Sequence, residues 1–593
     1  MRISRLLAAS VTTLLLAVAA CNDDSTSPGP KAPASITVTP VGTTTLRITF
    51  EGKKGESYEI ERAVEDGTAF TLVKTIAELT ASGTQTYDDT GLLADESYRY
   101  RVTAVKGTSR SVASSAVAGV TCAACVEITT DILTSRTFFA DTIYKLKGFI
   151  HVGNGATLTI QPGTTIKGDY TTLGSALMIL KGAKIQAVGT AAQPIVFTSS
   201  RQPGQRQPGD WGGLLLVGNG INNRSGQVAV EGTGTDGATV VGGKNYTVVY
   251  NGGQSATDNS GTLKYVRVEF AGYAPIQDQE FNAFTFCAVG SGTRASFLES
   301  LAPLDDSFEF FGGGFDIDHI IAFETADDMF DMSEGWVGRM QFLIGINTTQ
   351  LTPRTGSGFY SVDIEGIEND GCNGSGCDNT FDTQPFTIPL VANFTMIGCG
   401  RAQCVGPSGG HGMMLRRGTG GYYMNGVVSR WPSDGISLRD AQTYNRGGAT
   451  RTPAATADLQ VRNIFFSEMT CGGQMIACGA NGASPQPLMF QAVSASQFDL
   501  DPAANNLTLG AVAVTTASLF TKIPDVGATP SSIDDFDFTP AAGSAIATGG
   551  SGAFTGAVAT KGGTFITGTT YQGAVAPGGA DKWWQGWTAY YRN

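Results

Sequence analysis

Apolar residues follow two different rhythms along this chain. Between Ser35 and Thr121 they alternate with polar ones in short runs (SITVTP, LRITF, SYEIERA, YRYRVTAV) separated by turn residues. Period-2 alternation at this spacing predicts the short strands of a compact β-sandwich. From Cys122 onward the grammar changes. GFIHVGNGATLTIQPGTTIKGD and ALMILKGAKIQAVGTAAQPIVFTSS each read as strand, Gly turn, strand, Gly turn. LKYVRVEFAG is a similar strand, with Val266, Val268 and Phe270 alternating to one side. No stretch sustains a helical period.

Within the second region the pattern repeats itself. DDSFEFFGG, starting at Asp305, returns as DDMFDMSEG, starting at Asp327. This register sets Asp305 over Asp327, Asp306 over Asp328, Phe308 over Phe330, Glu309 over Asp331 and Gly313 over Gly335. Upstream it sets Leu298 over Ile320 and Leu301 over Phe323. HGMMLRRG and DGISLRD echo in the same way, with Met413 over Ile436 and Leu415 over Leu438. Such a period is about one coil of a parallel β-helix, in which successive coils stack at roughly 4.8 Å. A sandwich would have no fixed repeat.

Composition sharpens this reading. Gly is abundant (78) and only 15% of residues are charged, which suits strands and tight turns. The formal charge is −13, a poor match to nucleic acid or anionic lipid; divalent cations and neutral or cationic surfaces fit better. Arg2 and Arg5 precede an apolar run, Leu6 to Val18, that is too short for a stable span and ends in small residues at VAAC. Residues 1–20 therefore read as a signal peptide. The run resembles a bacterial lipobox, which implies lipidation of Cys21 and a membrane anchor, with 21–34 as a flexible tether. Eight further cysteines form close couples: Cys122 with Cys125, Cys372 with Cys377, Cys399 with Cys404, and Cys471 with Cys478. In an oxidising compartment local disulfides are the leading reading, with a metal site at the CxxC of Cys122 and Cys125 as the alternative. Cys287, in FTFCAVG, reads as a buried free thiol.

Residues 35–121 resemble a fibronectin type III domain. Phe50 stands where that family has a core Trp, Tyr58 and Ile60 alternate on the next strand, and GLLADESYRYRVTAV carries the tyrosine-corner pattern at Tyr98. The resemblance implies a spacer or a binding module. The second region resembles exported, pectin-lyase-like β-helix lipoproteins of diderm bacteria. That resemblance rests on QPGQRQPGDWGGLLLVGNGIN with Asp210 and Trp211, on DNSGTLKYVRVEFAG, on DDSFEFFGG, and on the ending around Trp584 to Thr588. It implies fold and location and carries no activity. The expected fold is all-β: a fibronectin type III-like sandwich, a large right-handed parallel β-helix over 122–575, and an aromatic C-terminal segment over 576–593. Trp583, Trp584 and Trp587 are expected to cap the last coil, or alternatively to form a glycan-stacking platform.

Candidate chemistry centres on the repeat. From Glu299 to Glu334 there are eleven Asp or Glu and no Lys or Arg. Stacked like charges are costly unless a cation lies between them. Asp305, Asp306, Glu309, Asp327, Asp328 and Asp331 could therefore hold one or two hard cations, Ca²⁺ being tolerant of irregular carboxylate geometry. A second acidic loop, IENDGCNGSGCDNTFD, offers Glu368, Asp370, Asp378 and Asp382. The bland alternative for both is a solvated acidic face. A Ca²⁺-dependent lyase would need a basic side chain on the same face, and none follows locally before Arg339. A polygalacturonase-like pairing of Asp305-Asp306 with Gly410-His411-Gly412 implies four or five coils of rise, more than the roughly 10 Å over which carboxylates can flank one glycosidic bond. His319 after Asp316 and Asp318 is a candidate ligand or base, though a lone His among strands is more often packed. Ser408 in GPSGG lacks the helix that a nucleophile elbow needs. The expected role is a lipid-anchored outer-membrane or cell-surface protein, a cation-stabilised adhesin or glycan-binding module. The rivals are a Ca²⁺-dependent polysaccharide lyase and a self-associating structural protein.

Overall fold

The computed structural model describes residues 29–592, apart from 65–68, 94–95, 122–124, 234–239, 242–243, 246, 276–278, 354–355, 357, 360–362, 401–409, 470–499 and 512. Cys21, Cys122, Cys404, Cys471, Cys478 and Ser408 lie outside the described residues. The described residues fall into two compact units that part at Thr121.

In the first unit two antiparallel sheets enclose a core of Leu46, Ile48, Phe50, Tyr58, Ile60, Tyr98, Tyr100 and Val102. The burial alternation of Thr45–Gly52 and Ser57–Val64 is what encloses it, since every second side chain faces the opposite sheet. Phe50 and Tyr58 meet at 5.0 Å between ring centres. The Tyr98 hydroxyl accepts the Leu93 N–H at 3.0 Å, tying the preceding loop to the sheet.

The second unit is a parallel β-helix. Among the described residues one sheet has nine strands, which we number in chain order: β1 (Phe149–Val152), β2 (Ala176–Ile179), β3 (Leu214–Val217), β4 (Phe284–Val289), β5 (Phe308–Gly313), β6 (Asp331–Ser333), β7 (Ile367–Asp370), β8 (Met413–Arg416) and β9 (Ser437–Leu438). Each pairs in parallel with the next. A second, larger sheet carries the return strands, among them Gly261–Glu269, Arg294–Leu301, Asp316–Phe323 and Arg339–Ile346. The registers are those of the repeat: Glu309 pairs with Asp331, Leu298 with Ile320, Leu301 with Phe323, and Leu415 with Leu438. Like residues stack between the sheets. Phe284, Phe308 and Phe330 lie nearly parallel at 4.9 and 5.4 Å, and Phe286 lies over Phe310 at 5.1 Å. Gly313 and Gly335, at the turns leaving β5 and β6, have φ of 77° and 83°. A Cβ on Gly313 would meet the Val289 carbonyl at 2.3 Å, so the repeat needs glycine there.

Two sequence expectations change. Val266 and Val268 enter the core, but Phe270 does not join them. Its φ of 58° turns it onto the flank, where it packs with Leu301, Phe323 and Ile344. The C-terminal segment does not cap the last coil. It runs back along this flank, where Trp587 meets Tyr265 and Phe297, Trp583 meets His319, and Trp584 meets Phe538. Trp584 and Trp587 are fully buried, which also removes the stacking platform. The physical reason is the apolar flank itself, which needs cover along its length rather than at its end.

Candidate functional site

The outer face of the nine-stranded sheet builds the site. Along β5 to β9 alternate residues point inward (Phe308 and Phe310, Met332, Ile367, Met413 and Leu415, Leu438) and enter the core. The residues between them face out. Parallel pairing stacks these outward residues into columns. One column runs Glu309, Asp331, Glu368, Met414, and another runs Ser333, Asp370, Arg416, Arg439. Just before each strand stands a third: Asn282, Asp306, Asp328, Glu365, His411, Asp434. Successive backbone N–H groups climb this third column, from Asp306 to Asn282 Oδ1 at 3.1 Å, from Asp328 to Asp306 Oδ1 at 2.8 Å, and from Glu365 to Asp328 Oδ1 at 3.0 Å.

These columns line a cavity of about 600 Å³. Among the described residues the carboxylate oxygens come within 4.8 Å of one another in four groups: Asp305, Asp306 and Asp327; Asp306, Glu309 and Asp331; Asp327, Asp328 and Glu365; Asp328, Asp331 and Glu368. All six carboxylates of the predicted ladder are therefore brought together. They are not a solvated face, since Asp305, Asp306, Glu309 and Asp328 are buried. Burial and mutual repulsion hold the carboxyls of Asp305, Asp306, Glu309, Asp328, Asp331 and Glu365 well above the usual carboxylate range. Burial and the neighbouring Glu280 push Glu231 up to about 8. Burial and Asp370 push Glu368 up to about 7, against the pull of Arg416 and Arg417.

The second acidic loop is not one site. Glu368 and Asp370 belong to the cavity, whereas Asp378 is exposed and Asp382 pairs with Arg446 at 2.5 Å. The reason is register: Glu368 and Asp370 lie on β7, and the other two lie beyond it, past the small loop that the Cys372–Cys377 disulfide closes. Cys125 and Cys399 are also disulfide-bonded, and Cys287 is a buried free thiol.

Basic side chains face the same cavity, which the local sequence did not reveal. Arg416 donates to Glu368 and Asp370, and Arg417 donates to Asp370. Arg439 reaches His411 Nε2 at 2.9 Å, and Arg224 binds Glu334 at 2.7 Å. Burial works against the Arg416 guanidinium, but Asp370 and Glu368 outweigh it and hold it above its ordinary value. Those two carboxylates hold the guanidinium in place. Arg339 pairs with Asp316 on the other sheet, at 2.7 Å through each of two nitrogens.

Gly410-His411-Gly412 stands three coils from Asp306, not four or five, because long excursions lengthen the intervening coils. At about 4.8 Å per coil the separation is about 14 Å, still too far to flank one glycosidic bond. His319 stacks on Phe297 at 4.6 Å and touches Asp318, under the C-terminal segment and away from the cavity. It is packed and is no ligand of this site.

A family model described as a pectate-lyase like beta helix domain matches residues 130–497. The chain belongs to this family. No curated protein matches it. Among solved structures, the family 28 exopolygalacturonase of Yersinia enterocolitica aligns at 10% identity over 81% of this chain and 90% of its own, with a TM-score of 0.19. A pectate lyase from Pectobacterium carotovorum aligns at 8% identity over 61% of this chain and 85% of its own, TM-score 0.12. An Fn3-like protein from Clostridium thermocellum aligns at 24% identity over 15% of this chain and 92% of its own, TM-score 0.14. These likenesses bear on neither activity nor substrate.

Proposed function

We propose that this protein is a lipid-anchored cell-envelope module that holds divalent cations in its β-helix cavity and binds surface glycans without turning them over. The observation that supports this reading most is the set of four overlapping carboxylate groups buried in one cavity. Carboxylates at that density remain charged only with cations between them, and an all-oxygen, irregular donor set suits Ca²⁺. The stacked strands form a long regular face that suits an extended polymer. In this reading the N-terminal sandwich is a fibronectin type III-like spacer, and a lipid on Cys21 holds the molecule to the outer membrane, at its periplasmic face or at the cell surface.

The test takes the mature chain through thermal unfolding in EDTA and in Ca²⁺. Saturating Ca²⁺ at a hundredfold over its dissociation constant stabilises by about 2.7 kcal/mol, so an unchanged melting temperature sinks the cation reading. Retention on glycan resins that is lost on chelation supports binding. Loss of palmitate labelling in Cys21→Ala supports the anchor.

A second reading is a Ca²⁺-dependent lyase acting on acidic glycans, favoured by Arg416 and Arg417 lying beside the carboxylates. It requires the ultraviolet absorbance of unsaturated uronates to grow with a polyuronate panel. No growth across the panel eliminates it.

A further inference from the structure

The four carboxylate groups overlap in a particular way. Asp306, Asp327, Asp328 and Asp331 each belong to two of them, so only two pairings of groups share no carboxylate. One pairing sets Asp305, Asp306 and Asp327 against Asp328, Asp331 and Glu368. The other sets Asp306, Glu309 and Asp331 against Asp327, Asp328 and Glu365.

The remaining contacts choose between them. Glu368 is already met by the Arg416 guanidinium, so the first pairing asks a cation to share a carboxylate with a fixed positive charge. In the second pairing, among the described residues, no arginine or lysine holds Glu309 or Glu365. Glu365 is 1% exposed and lines the cavity, yet its Oε1 accepts no hydrogen bond. Asp331 Oδ1 on the other group is likewise without a donor. A buried carboxylate oxygen left in this state costs free energy unless something positive fills the gap. The Glu365 and Asp328 carboxyls can hydrogen-bond to each other only with a proton between them, and a cation takes that proton's place.

We propose that the cavity holds two divalent cations, one on Asp306, Glu309 and Asp331 and the other on Asp327, Asp328 and Glu365. This rests on the cation reading above and adds stoichiometry and ligands to it. The ligands of each ion come from two successive coils, so the ions lie about one coil apart, about 4.8 Å, close to the spacing of two-metal sites. Six carboxylates outnumber the four positive charges, which leaves the pair of ions net attracted. Arg416 and Arg417 neutralise Glu368 and Asp370 and so close the row of ligands at β7.

The experiment is equilibrium dialysis of the full mature chain against Ca²⁺, with bound metal counted by atomic absorption. The expected count is two for the native chain, one for Glu365→Gln, one for Glu309→Gln, and two for Glu368→Gln and Asp305→Asn. Circular dichroism confirms that each variant is folded, and the native count needs no variant at all. A native count of one overturns the two-ion centre and leaves the cation reading standing. A count of zero overturns both. A count of two in Glu365→Gln, or a loss in Glu368→Gln with Glu365→Gln unaffected, overturns this assignment of ligands.

Discussion

Two outward faces of the β-helix bury carboxylates, and they treat them differently. On the flank under the C-terminal segment Glu269, Glu299 and Glu324 each have a partner of their own. Glu299 accepts the Ala589 N–H at 3.0 Å and lies 3.8 Å from Arg267; Glu324 takes the Tyr590 hydroxyl and that of Thr348; Glu269 takes Arg267 at 3.1 Å and Tyr591. On the cavity face Asp306, Glu309, Asp328 and Glu365 have one another, an amide from Asn282 and two backbone N–H groups. One face is closed by the chain's own side chains. On the other the carboxylates mainly face one another, and in the cation reading their counter-charge comes from outside. Burial alone therefore does not distinguish a structural acid from a ligand; the identity of the nearest positive charge does.

The contrast breaks first at the closed flank. Trp584→Ala is expected to cost about 3–5 kcal/mol of stability, as for other fully buried tryptophans, and to the same extent in Ca²⁺ and in EDTA. Thermal unfolding in both buffers checks it, and a loss that Ca²⁺ repairs would merge the two faces into one system. Arg416→Gln probes the edge of the open face. It leaves Glu368 and Asp370 without their guanidinium and, with Arg416 partly solvated, is expected to cost about 2 kcal/mol in EDTA, part of it recovered in Ca²⁺. Chemical denaturation in each buffer measures the difference.

The finest probe is pH. A carboxyl whose pKa is raised by folding favours the folded state while protonated, and that contribution is lost as pH rises through the folded value. Glu368 at about 7 and Glu231 at about 8 set the window. Metal-free protein should therefore melt lower as pH rises from about 5 to about 9. With Ca²⁺ present the trend should reverse, because the ion binds the charged form. A flat profile in EDTA would mean that the open face is relieved by some other route.

Much of the fold was legible because coils between Leu298 and Phe323 keep a constant length, so like residues recur at a fixed interval. The same interval hid half of the site. Glu365 and Glu368 pair with Asp328 and Asp331 across a long excursion, and Asp370 meets Arg416 across another. Between Ser333 and Met413 a search at fixed spacing therefore fails. A signal independent of spacing was present: Asp306 with Glu309, Asp328 with Asp331, and Glu365 with Glu368 are each an acid, two residues, an acid. The position of Trp587 had no such signal, since its partners Tyr265 and Phe297 lie on coils formed hundreds of residues earlier.

That last separation bears on how the molecule matures. Neighbouring coils can stack as they emerge during synthesis, since each meets mainly the one before it. The hydrogen bond from Arg267 to the Trp587 carbonyl spans 320 residues. Until residues 583–591 arrive, the apolar flank they cover stays open to water. Residues 583–591 thus fasten the coils between Tyr265 and Thr348, and a chain stopped before Trp583 is expected to stack those coils with the flank uncovered.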